Sequence, residues 1–575
     1  MIKLFRNLRP FRGAITLVLL LIFLQSLSEL ILPTLMADIV DKGIVAGNHG
    51  YIWRIGGIML LVSAASGVFS IVASYHSSKV SAGFGKILRG KLFAHVESFS
   101  LQEFDKFGTA SLITRTTNDV TQVQQVLLTM MRMMVSAPMM CIGGVIMAVS
   151  KDPGLSLVIV CVVPILALTI FIIARKGIPF FKVMQVKVDK LNLVLREHLT
   201  GVRVIRAFNR TEQEKERFNL ANMDLTETAI KVNKIMAVMM PLMMLIMNFT
   251  SIAIIWFGAI RISDGHMQVG DLMAFLQYAM QIMFSLLMVS MMFVMVPRAS
   301  ASAVRINQVL DTLPDIVDRP GAKAVASRGG HVVFDRVTFH YPGAEKPAIS
   351  HISFEAKPGE TTAIIGGTGS GKSTLISLIP RFYDIAEGSI RVDGVDVRDM
   401  TQESLRAKIG FVPQKAELFT GTIRENIQYG MADASDEQVR HAAAVAQASG
   451  FIEEKQEGYE TVISQGGGNL SGGQKQRLSI ARALVRKPDV YIFDDSFSAL
   501  DYKTDASLRA ALKQETGQAA VIIVAQRVST IMDADRIIVL DEGEIVGMGT
   551  HAELMDTSKV YREIVSSQLA EEEWA

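Results

Sequence analysis

Cysteine is nearly absent from the 575-residue sequence, which contains only Cys141 and Cys161. Both lie inside apolar runs without neighbouring histidine or acidic residues, so they indicate neither a disulfide framework nor a cysteine-ligated metal site. A surplus of charge is absent too, because 58 lysines and arginines are balanced by 56 aspartates and glutamates. The net charge of +2 gives no electrostatic basis for binding nucleic acid, which we do not expect as a partner.

We do not expect a cleavable secretion signal in the first residues. Four basic side chains lie within residues 1–13, at Lys3, Arg6, Arg9 and Arg12. No small-residue cleavage site follows a short apolar core, as a signal peptide requires. We therefore expect a short amphipathic helix on the cytosolic side that leads into the first apolar run.

Apolar segments, in contrast, dominate the first half of the chain. Of all residues 50% are hydrophobic, and the mean hydropathy is +0.32. Six apolar runs reach the length of about 20 residues that a helix needs to cross a bilayer. They cover residues 14–37, 55–78, 127–149, 153–174, 235–260 and 271–297. We predict a six-span membrane domain over residues 1–300, with further domains after it.

The linkers between these runs differ in length and in charge. Residues 79–126 and 175–234 form long, highly charged linkers, whereas the other linkers are short and carry few basic residues. The positive-inside rule therefore places the long linkers, the N-terminus and the C-terminal half in the cytosol. Apolar residues recur at helical spacing in the second long linker, and we expect both linkers to be helices extending beyond the membrane. The pattern breaks at residues 105–109 and 208–212, which we predict to be the tips.

Methionine is concentrated in the membrane half, where 23 of the 31 methionines lie between residues 120 and 300. Flexible thioethers adapt to ligands of different shape, so one interpretation is an apolar cavity that accepts many substrates. Its predicted lining includes Met243, Met247, Met291 and Met295. The alternative is that these side chains fill helix contacts or face lipid.

Glu29 is an acidic residue inside the first apolar run, beside Gln25, Ser26 and Ser28. A carboxylate is costly in lipid and indicates a position that faces protein or water. Two roles are open: binding of a cationic substrate or a proton, and a structural hydrogen bond. The first role makes Glu29 part of the predicted substrate cavity.

The composition changes after a polar linker at residues 301–328. Residues 329–575 have the character of a soluble α/β domain, and residues 332–334 and 337–339 are predicted to be short antiparallel strands. Tyr341 closes the second of them. An aromatic residue at this position can stack on a nucleotide base or simply end a strand.

A glycine-rich loop follows a buried-strand run at residues 361–365 and opens a predicted helix. The loop consists of Gly366, Gly367, Thr368, Gly369, Ser370, Gly371, Lys372 and Ser373, and Thr374 follows it. This is the setting of a P-loop, whose backbone N–H groups and helix N-terminus bind phosphate. Lys372 would neutralise the β- and γ-phosphates of a nucleotide, and Ser373 would hold Mg²⁺.

A second glycine-rich segment opens the helix predicted over residues 475–485. It consists of Leu470, Ser471, Gly472, Gly473 and Gln474. One nucleotide has no evident need for two such phosphate cradles in one chain. The second segment therefore indicates a nucleotide that is held by another chain, in a head-to-tail dimer with composite sites.

Polar residues follow two further predicted strands. The strand at residues 490–493 ends in Asp494, which would hold Mg²⁺, and in Asp495, which is placed to align an attacking water. Gln526 ends the next buried strand and points toward the same phosphates. Asp501 is expected near the face between the two chains.

Together these features resemble the ATP-binding cassette (ABC) exporters in their half-transporter form. The resemblance covers essentially the whole chain, and the P-loop and LSGGQ segments in this order are highly specific. By motif, residues 366–373 match Walker A, Asp494 matches the Walker B acid, and residues 470–474 match the signature. Tyr341 matches the A-loop aromatic and Asp501 the D-loop acid. Gln414 matches the Q-loop, to which the resemblance assigns a role in catalysis and in Mg²⁺ binding. It implies a type I exporter membrane domain with six transmembrane helices, fused to an α/β P-loop NTPase over residues 329–575 that binds ATP and Mg²⁺.

Three positions depart from the family pattern. Asp495 replaces the catalytic glutamate, Gln526 replaces the switch histidine, and Gln465 lies where the X-loop usually has glutamate. A carboxylate one methylene shorter misplaces the attacking water, and a shift of about 1 Å can cost on the order of 10²-fold in rate. A neutral amide also lacks the charge and proton handling of imidazole.

These departures make the chain resemble the degenerate subunit of a heterodimeric bacterial multidrug exporter. Such a chain would bind ATP and hydrolyse it slowly, while its signature completes the competent site on a homologous half-transporter that supplies the glutamate. The other expected partners are the lipid bilayer of the bacterial cytoplasmic membrane and a hydrophobic or amphipathic small molecule. Two alternatives remain: a lipid or peptide exporter with the same engine, and an ATP-gated channel or sensor.

Overall fold

The computed structural model describes residues 1–324 and 329–568. It leaves out the side chains of Ala174, Ile178, Phe181, Lys182, Met236, Met291, Phe293 and Val294. The chain forms two compact units. The first contains Met1–Glu97 and Gly108–Thr312, and the second contains Ser98–Phe107 and the described residues from Leu313 onward.

Helices make up the chain as far as residue 311. They are α1 (Ile2–Phe5), α2 (Arg12–Asp38), α3 (His49–Glu97), α4 (Leu101–Phe107), α5 (Thr109–Thr114), α6 (Val120–Pro138), α7 (Gly144–Lys151), α8 (Ser156–Thr200), α9 (Val202–Ala207), α10 (Thr211–Ser263) and α11 (Val269–Asp311). Wider π-helical turns extend or join some of them, at Ile39–Ile44, Arg115–Asp119 and Met139–Gly143.

Six stretches of the described chain are long and apolar enough to cross a membrane. They are Ile2–Ile44, His49–Glu97, Thr109–Lys151, Ser156–Gly177, Thr211–Ser263 and Val269–Asp311. Each predicted apolar run overlaps one of them, which confirms the six-span membrane domain. Of the helices that contain these stretches, α3, α8 and α10 are the longest, with 49, 45 and 53 residues, more than the roughly 20 that a bilayer requires.

A buried ion pair fixes the turn between α7 and α8. Asp152 is 2% exposed, and its Oδ1 accepts a hydrogen bond of 2.9 Å from the backbone N–H of Leu155. Its Oδ2 accepts a second bond of 2.5 Å from Nε of Arg261 at the end of α10. A buried carboxylate is tolerated when it is paired and hydrogen-bonded in this way.

Tyr278 provides a polar contact in the largely apolar interior of the membrane unit. Tyr278 of α11 is fully buried, and its hydroxyl donates to the carbonyl oxygen of Leu30 at 2.8 Å. The hydroxyl oxygen of Tyr278 also lies 2.6 Å from Oγ1 of Thr34. Phe275 and Ile282 pack around it, so α2 and α11 are held at a fixed register.

Short helices mark both predicted tips, but the two differ in exposure. In the second unit, α4 contains Glu103, which is buried and accepts hydrogen bonds of 2.6 Å from Ser100. Burial alone would raise the pKa of Glu103, but these bonds and those from Asp315 lower it. In the first unit, Val204 of α9 is 60% exposed and Phe208 beside it is 73% exposed.

The second unit contains three sheets. Their strands are β1 (Val332–Phe339), β2 (Ile349–Ala356), β3 (Thr361–Gly366), β4 (Glu387–Val392), β5 (Val395–Asp396), β6 (Ile409–Val412), β7 (Gly421–Thr422), β8 (Val462–Ile463), β9 (Val490–Asp494), β10 (Ala520–Val524), β11 (Arg536–Asp541) and β12 (Glu544–Gly549). The antiparallel sheet has the order β2-β1-β4-β5, the main sheet has the order β12-β11-β3-β10-β9-β6, and β7 pairs with β8.

Besides α4, the second unit contains nine described α-helices. They are α12 (Lys372–Ser377), α13 (Gln402–Ala407), α14 (Ile423–Gln428), α15 (Asp436–Val445), α16 (Ser449–Glu453), α17 (Gly472–Leu484), α18 (Tyr502–Glu515), α19 (His551–Thr557) and α20 (Lys559–Ser566). The unit has the P-loop NTPase architecture that the sequence predicts.

One boundary differs from prediction: the two short strands expected at residues 332–334 and 337–339 are a single strand, β1. Arg336 lies between them with φ of 48°, and the pairing with β2 shifts register between Phe334 and Val337. An inserted residue in the left-handed region makes a β-bulge, which bends a strand without ending it. The local break in the apolar pattern therefore marks a bulge, not a turn.

The register of the main sheet determines where the functional residues meet. Strands β3, β10 and β9 run parallel, with Val524 of β10 opposite both Ile364 and Asp494. Their residues are almost continuously buried, as parallel strands covered on both faces must be. Because the carboxyl ends of parallel strands share one edge, the loops that follow β3, β9 and β10 lie side by side.

Candidate nucleotide-binding site

The glycine-rich loop after β3 is shaped by left-handed backbone conformations. Gly369 and Gly371 have φ of 85° and 96°, a region that side chains with a Cβ avoid. A Cβ on Gly371 would also come within 2.8 Å of the carbonyl oxygen of Ala348. Gly371 is the N-cap of α12, so the loop turns sharply and directs the first N–H groups of that helix to one point.

Lys372 folds back over this loop. Its Nζ donates to the carbonyl oxygens of Gly366 at 2.9 Å and Gly367 at 2.7 Å, and lies 3.4 Å from Oγ of Ser370. Burial lowers the pKa of the Lys372 ammonium, while the carboxylates of Asp495 and Asp494 oppose that shift. The loop thus holds a cation with few water contacts, which suits an anionic phosphate.

Two oxygen ligands meet beside the loop. Oγ of Ser373 donates a hydrogen bond of 3.0 Å to Oδ1 of Asp494 at the end of β9. Asp494 is buried, and this burial raises the pKa of its carboxyl, with the bond from Ser373 acting in the opposite direction. A buried carboxylate next to a hydroxyl is an oxygen donor set that suits Mg²⁺.

Asp495 receives hydrogen bonds from two amide side chains. Nε2 of Gln526 donates to its Oδ2 at 2.9 Å, and Nε2 of Gln414 donates to the same oxygen at 3.2 Å. The backbone of Asp495 has φ of 45° and donates to the carbonyl oxygen of Val524 at 2.9 Å. We call Gln414, Asp495 and Gln526 the carboxylate clamp.

The sequence predicts all three residues at one site but not the hydrogen bonds among them, because they are 81 and 31 residues apart. A residue outside the prediction is Gln568, at the end of the described chain. Its Nε2 donates to the carbonyl oxygen of Gln526 at 2.8 Å, and its Oε1 accepts from the N–H of Val528 at 2.8 Å. Gln568 therefore fixes the loop that carries Gln526, and no motif marks it.

The second glycine-rich segment forms a capped helix start. Ser471 is the N-cap of α17, and its Oγ accepts from the N–H of Gln474 at 3.3 Å. Oε1 of Gln474 accepts from the N–H of Ser471 at 3.0 Å, which completes a capping box. Leu470 is buried, and a Cβ on Gly473 would approach the carbonyl oxygen of Ala499 to 3.1 Å, whereas Gly472 faces open space.

Two other predicted residues have clear local contacts. Asp501 is the N-cap of α18 and accepts from the N–H of Thr504 at 3.0 Å, a bond that lowers the pKa of its carboxyl. The hydroxyl of Tyr341 lies 2.9 Å from Oγ1 of Thr374. The Tyr341 ring packs edge-on against Tyr383, with centroids 5.5 Å apart, so the aromatic residue lies beside the phosphate loop.

The residues predicted to line one membrane cavity lie in different places in the structure. Glu29 lines a pocket of about 520 Å³. Met243 and Met247 instead pack in a separate apolar cluster with Leu166 and Met283, so they do not line this pocket, and their place in a substrate cavity stays a prediction. Helical spacing shows that methionines share a face but not what that face contacts. Met295 is half-buried and does not line the pocket, and the side chain of Met291 lies outside the described residues.

A six-span membrane unit and a P-loop domain with a second glycine-rich cap define a membrane-bound ATPase. Family models agree with both parts. Residues 15–286 match the ABC transporter transmembrane region, and residues 349–498 match the ABC transporter family. Similarity extends along the chain: an uncharacterized ABC transporter ATP-binding protein of Mycobacterium tuberculosis is 43% identical over 568 residues, covering 98% of this chain and 97% of that protein.

Two further proteins refine the class. An ATP-dependent lipid A-core flippase of Desulfotalea psychrophila is 34% identical, with 93% of each chain covered. The solved structure of a bacterial Atm1-family ABC exporter with ATP bound has a TM-score of 0.82 and 27% identity, covering 97% of this chain and 99% of that one. The chain therefore belongs to the ABC transporter family and is an ABC exporter with a transmembrane domain and an ATPase domain. As its bacterial relatives indicate, it is a multi-pass membrane protein.

Proposed function

We propose that this chain is one half of a heterodimeric exporter of hydrophobic or amphipathic compounds. Its own Walker site holds ATP and hydrolyses it slowly. Its signature segment completes a competent site on a homologous half-transporter that supplies the catalytic glutamate. ATP binding closes the two nucleotide-binding domains, and the extended helices carry this closure to the membrane spans.

The carboxylate clamp is the observation that carries the proposal. A residue that aligns an attacking water needs a free carboxylate oxygen facing the γ-phosphate. Here Oδ2 of Asp495 already accepts from Gln414 at 3.2 Å and from Gln526 at 2.9 Å, and the side chain is one methylene shorter than glutamate. Both amides are neutral at every pH, so titration does not break these bonds. The arrangement suits ATP retention better than turnover.

The intact signature segment supports a role for this chain in the ATP site of its partner. Ser471 and Gln474 form a complete capping box, and Gly472 leaves open space in front of the helix start. Backbone N–H groups at such a helix end bind phosphate. A chain that has lost its own water-aligning group, yet keeps this cap, is suited to serving a nucleotide on its partner.

The residues around the phosphate loop would hold Mg²⁺ together with ATP. Ser373, Asp494 and Gln414 provide oxygen atoms, and Ser373 and Asp494 are already 3.0 Å apart. When bound, Mg²⁺ would neutralise phosphate charge. Lys372 would contribute its ammonium to the same phosphates, and the ring of Tyr341 would stack on the base.

We place the chain in the cytoplasmic membrane of a bacterium, with the N-terminus and the ATPase domain in the cytosol. The basic character of the long linkers supports this orientation, and the bacterial origin of the similar proteins supports the location.

The experiment compares this chain alone with the chain paired with a half-transporter that has glutamate after its Walker B aspartate. Alone in lipid nanodiscs, the chain should bind ATP and show little turnover. Pairing should produce substrate-stimulated ATPase activity and uphill transport into vesicles, both abolished by replacing the partner's glutamate with glutamine. Brisk transport by the chain alone would contradict the proposal, and ATP binding without uphill transport would favour the channel or sensor alternative.

Lipid export is a second candidate, because a full-length relative is named as a lipid A-core flippase. Lipid export would be driven by the same ATP-dependent closure of the nucleotide-binding domains. ATPase stimulation measured with dyes, lipids and peptides in one defined lipid background separates the two candidates, since the true substrate class should stimulate at the lowest concentration.

A further inference from the structure

A pocket in the membrane unit has one polar wall and one apolar wall. It has a volume of about 520 Å³ and lies between α2, α11 and the end of α6. On α11, Gln277, Gln281 and Ser285 recur every four residues and line it, and Met280, Phe284 and Met288 recur every four residues beside them. This spacing keeps each set on its own stripe of the helix. The pocket is therefore amphipathic.

Glu29 is the acidic group of this pocket. Its Oε1 accepts a hydrogen bond of 2.9 Å from Nε2 of Gln25, one turn earlier on α2. Within the described chain, no lysine, arginine or histidine forms an ion pair with Glu29. A carboxylate in a membrane domain that is not neutralised by the protein attracts a cation.

A second acceptor belongs to Gln281, whose side chain contacts the backbone of Glu29. Nε2 of Gln281 donates to the backbone carbonyl of Glu29 at 3.3 Å, which brings the two residues together. The other side-chain atom, Oε1 of Gln281, is buried and has no hydrogen-bond donor among the described residues. A buried acceptor without a donor is costly, and its partial negative charge adds to that of Glu29.

The apolar wall is open to a ligand. Met280, Phe284 and Met288 are 43%, 56% and 48% exposed. Thioethers adapt to different shapes, and the face of an aromatic ring attracts a cation. The wall can therefore cover the body of a lipophilic molecule while its charged group meets Glu29.

From this arrangement we infer that the pocket selects lipophilic organic cations over neutral and anionic molecules of the same size. The inference rests on the proposed export function and names its substrate class. A phosphate group placed beside Glu29 would face like charge in a medium of low dielectric constant, which is strongly unfavourable. The selectivity is thus opposite to that expected for an anionic lipid headgroup.

Binding of tetraphenylphosphonium and tetraphenylborate tests this inference, because the two ions have nearly the same size and shape but opposite charge. The full chain is placed in nanodiscs of zwitterionic phosphatidylcholine, and binding is measured by equilibrium dialysis against empty nanodiscs. We expect the cation to bind at least about tenfold more tightly than the anion. Glu29→Gln should remove most of this preference by weakening cation binding about tenfold.

Glu97→Gln is the matched control, since Glu97 is an exposed acid at the end of α3 and its loss removes the same charge outside the pocket. It should bind both ions like the unmodified chain. A second variant, Gln281→Leu, removes the buried acceptor and should weaken cation binding while leaving the anion unchanged. Thermal unfolding of each variant verifies that the protein is folded.

Equal binding of the two ions, no binding of the cation, or a preference that survives Glu29→Gln would overturn the inference. None of these results bears on ATP turnover or pairing, because the assay uses neither nucleotide nor partner. Conversely, a chain that transports rapidly without a partner would refute the proposed heterodimer. The binding of tetraphenylphosphonium and tetraphenylborate would still show whether the pocket selects cations.

Discussion

At the scale of single residues, the most consequential group is the oxygen of Asp495 that two amides share. Gln414 and Gln526 both donate to Oδ2, so a longer carboxylate at this position would still meet both donors. If this site is degenerate, as proposed, two features would slow hydrolysis: the short side chain of Asp495 and the neutral amide of Gln526 bonded to it. We therefore expect that restoring activity requires both to change.

We predict that Asp495→Glu alone raises hydrolysis at this site only slightly, and that Asp495→Glu with Gln526→His raises it roughly tenfold to 10²-fold. The measurement is ATPase activity of the paired complex, with the partner's catalytic glutamate replaced by glutamine so that only this site turns over. Gln526→His alone is the control and should stay near the background rate. A full gain from Asp495→Glu by itself would show that side-chain length is the whole defect.

Asp494 gives a prediction about stability. Its pKa is raised by burial above the ordinary 3.8, so the folded state binds this proton more tightly than the unfolded state does. The carboxylate therefore costs stability at neutral pH, a cost that fades as the pH falls toward 3.8. Asp494→Asn should raise the unfolding temperature without nucleotide by about 2 °C or more at pH 7, and this gain should shrink on acidification.

The same variant should lose the extra stability that Mg²⁺ and ATP confer, because it removes an oxygen ligand. Differential scanning fluorimetry with and without Mg-ATP measures both effects. Asp433→Asn, at an exposed position outside the site, serves as the control for loss of one carboxylate. An Asp494→Asn protein that is less stable without nucleotide would contradict the assignment of burial as the main influence on this group.

At the scale of the element, the phosphate loop requires glycine at some positions and tolerates a side chain at others. Gly371 has φ of 96°, and a Cβ there would lie 2.8 Å from the carbonyl oxygen of Ala348. Gly367 has no atom within 4 Å of its Cβ position and no positive φ. The two glycines thus form a matched pair, of which only one is required by the backbone.

We predict that Gly371→Ala destabilises the nucleotide-free chain by about 1–2 kcal/mol, while Gly367→Ala leaves the unfolding temperature nearly unchanged. Thermal unfolding without nucleotide measures this difference. ATP binding should be lost in Gly371→Ala, because the left-handed turn directs the N–H groups of α12. Equal unfolding temperatures for the two variants would show that the loop tolerates a side chain at both positions.

Local chemistry explains why much of the architecture could be predicted. A few residues are enough to predict β3, from the buried run before Gly366, and α17, from its capped start at Ser471. The membrane spans follow from the length of the apolar runs alone. The clamp at Asp495 depends on strand order, which places loops from three distant segments together. The bulge at Arg336 and the inward packing of Met243 depend on neighbours that periodicity does not reveal.

At the scale of the whole molecule, the tip at α9 is an uncovered apolar feature. Val204 and Phe208 are 60% and 73% exposed. Water contact with a large aromatic side chain is unfavourable by roughly 25 cal/mol per Å². In an exporter whose intracellular tips dock on nucleotide-binding domains, as the family resemblance implies, the tip would be covered in the assembled dimer.

We predict that Phe208→Ser uncouples the paired exporter: ATP binding persists, while substrate stimulation of the ATPase and transport fall at least about fivefold. Phe93→Ser is the control, because Phe93 on α3 is 63% exposed and loses the same side chain. Vesicle transport and ATPase assays on the same preparations measure the effect. Equal loss in both variants would indicate a general folding defect in place of a coupling role for the tip.

The position of Gln568 has a practical consequence for work on this exporter. Its side chain bridges the carbonyl of Gln526 and the N–H of Val528, so strain applied to the end of α20 is passed to the switch position. Affinity tags and fluorescent fusions attached soon after Gln568 can therefore change turnover by themselves. Reporters are better attached ahead of α1, and activities obtained with carboxyl-terminal fusions should be compared with those of the untagged protein.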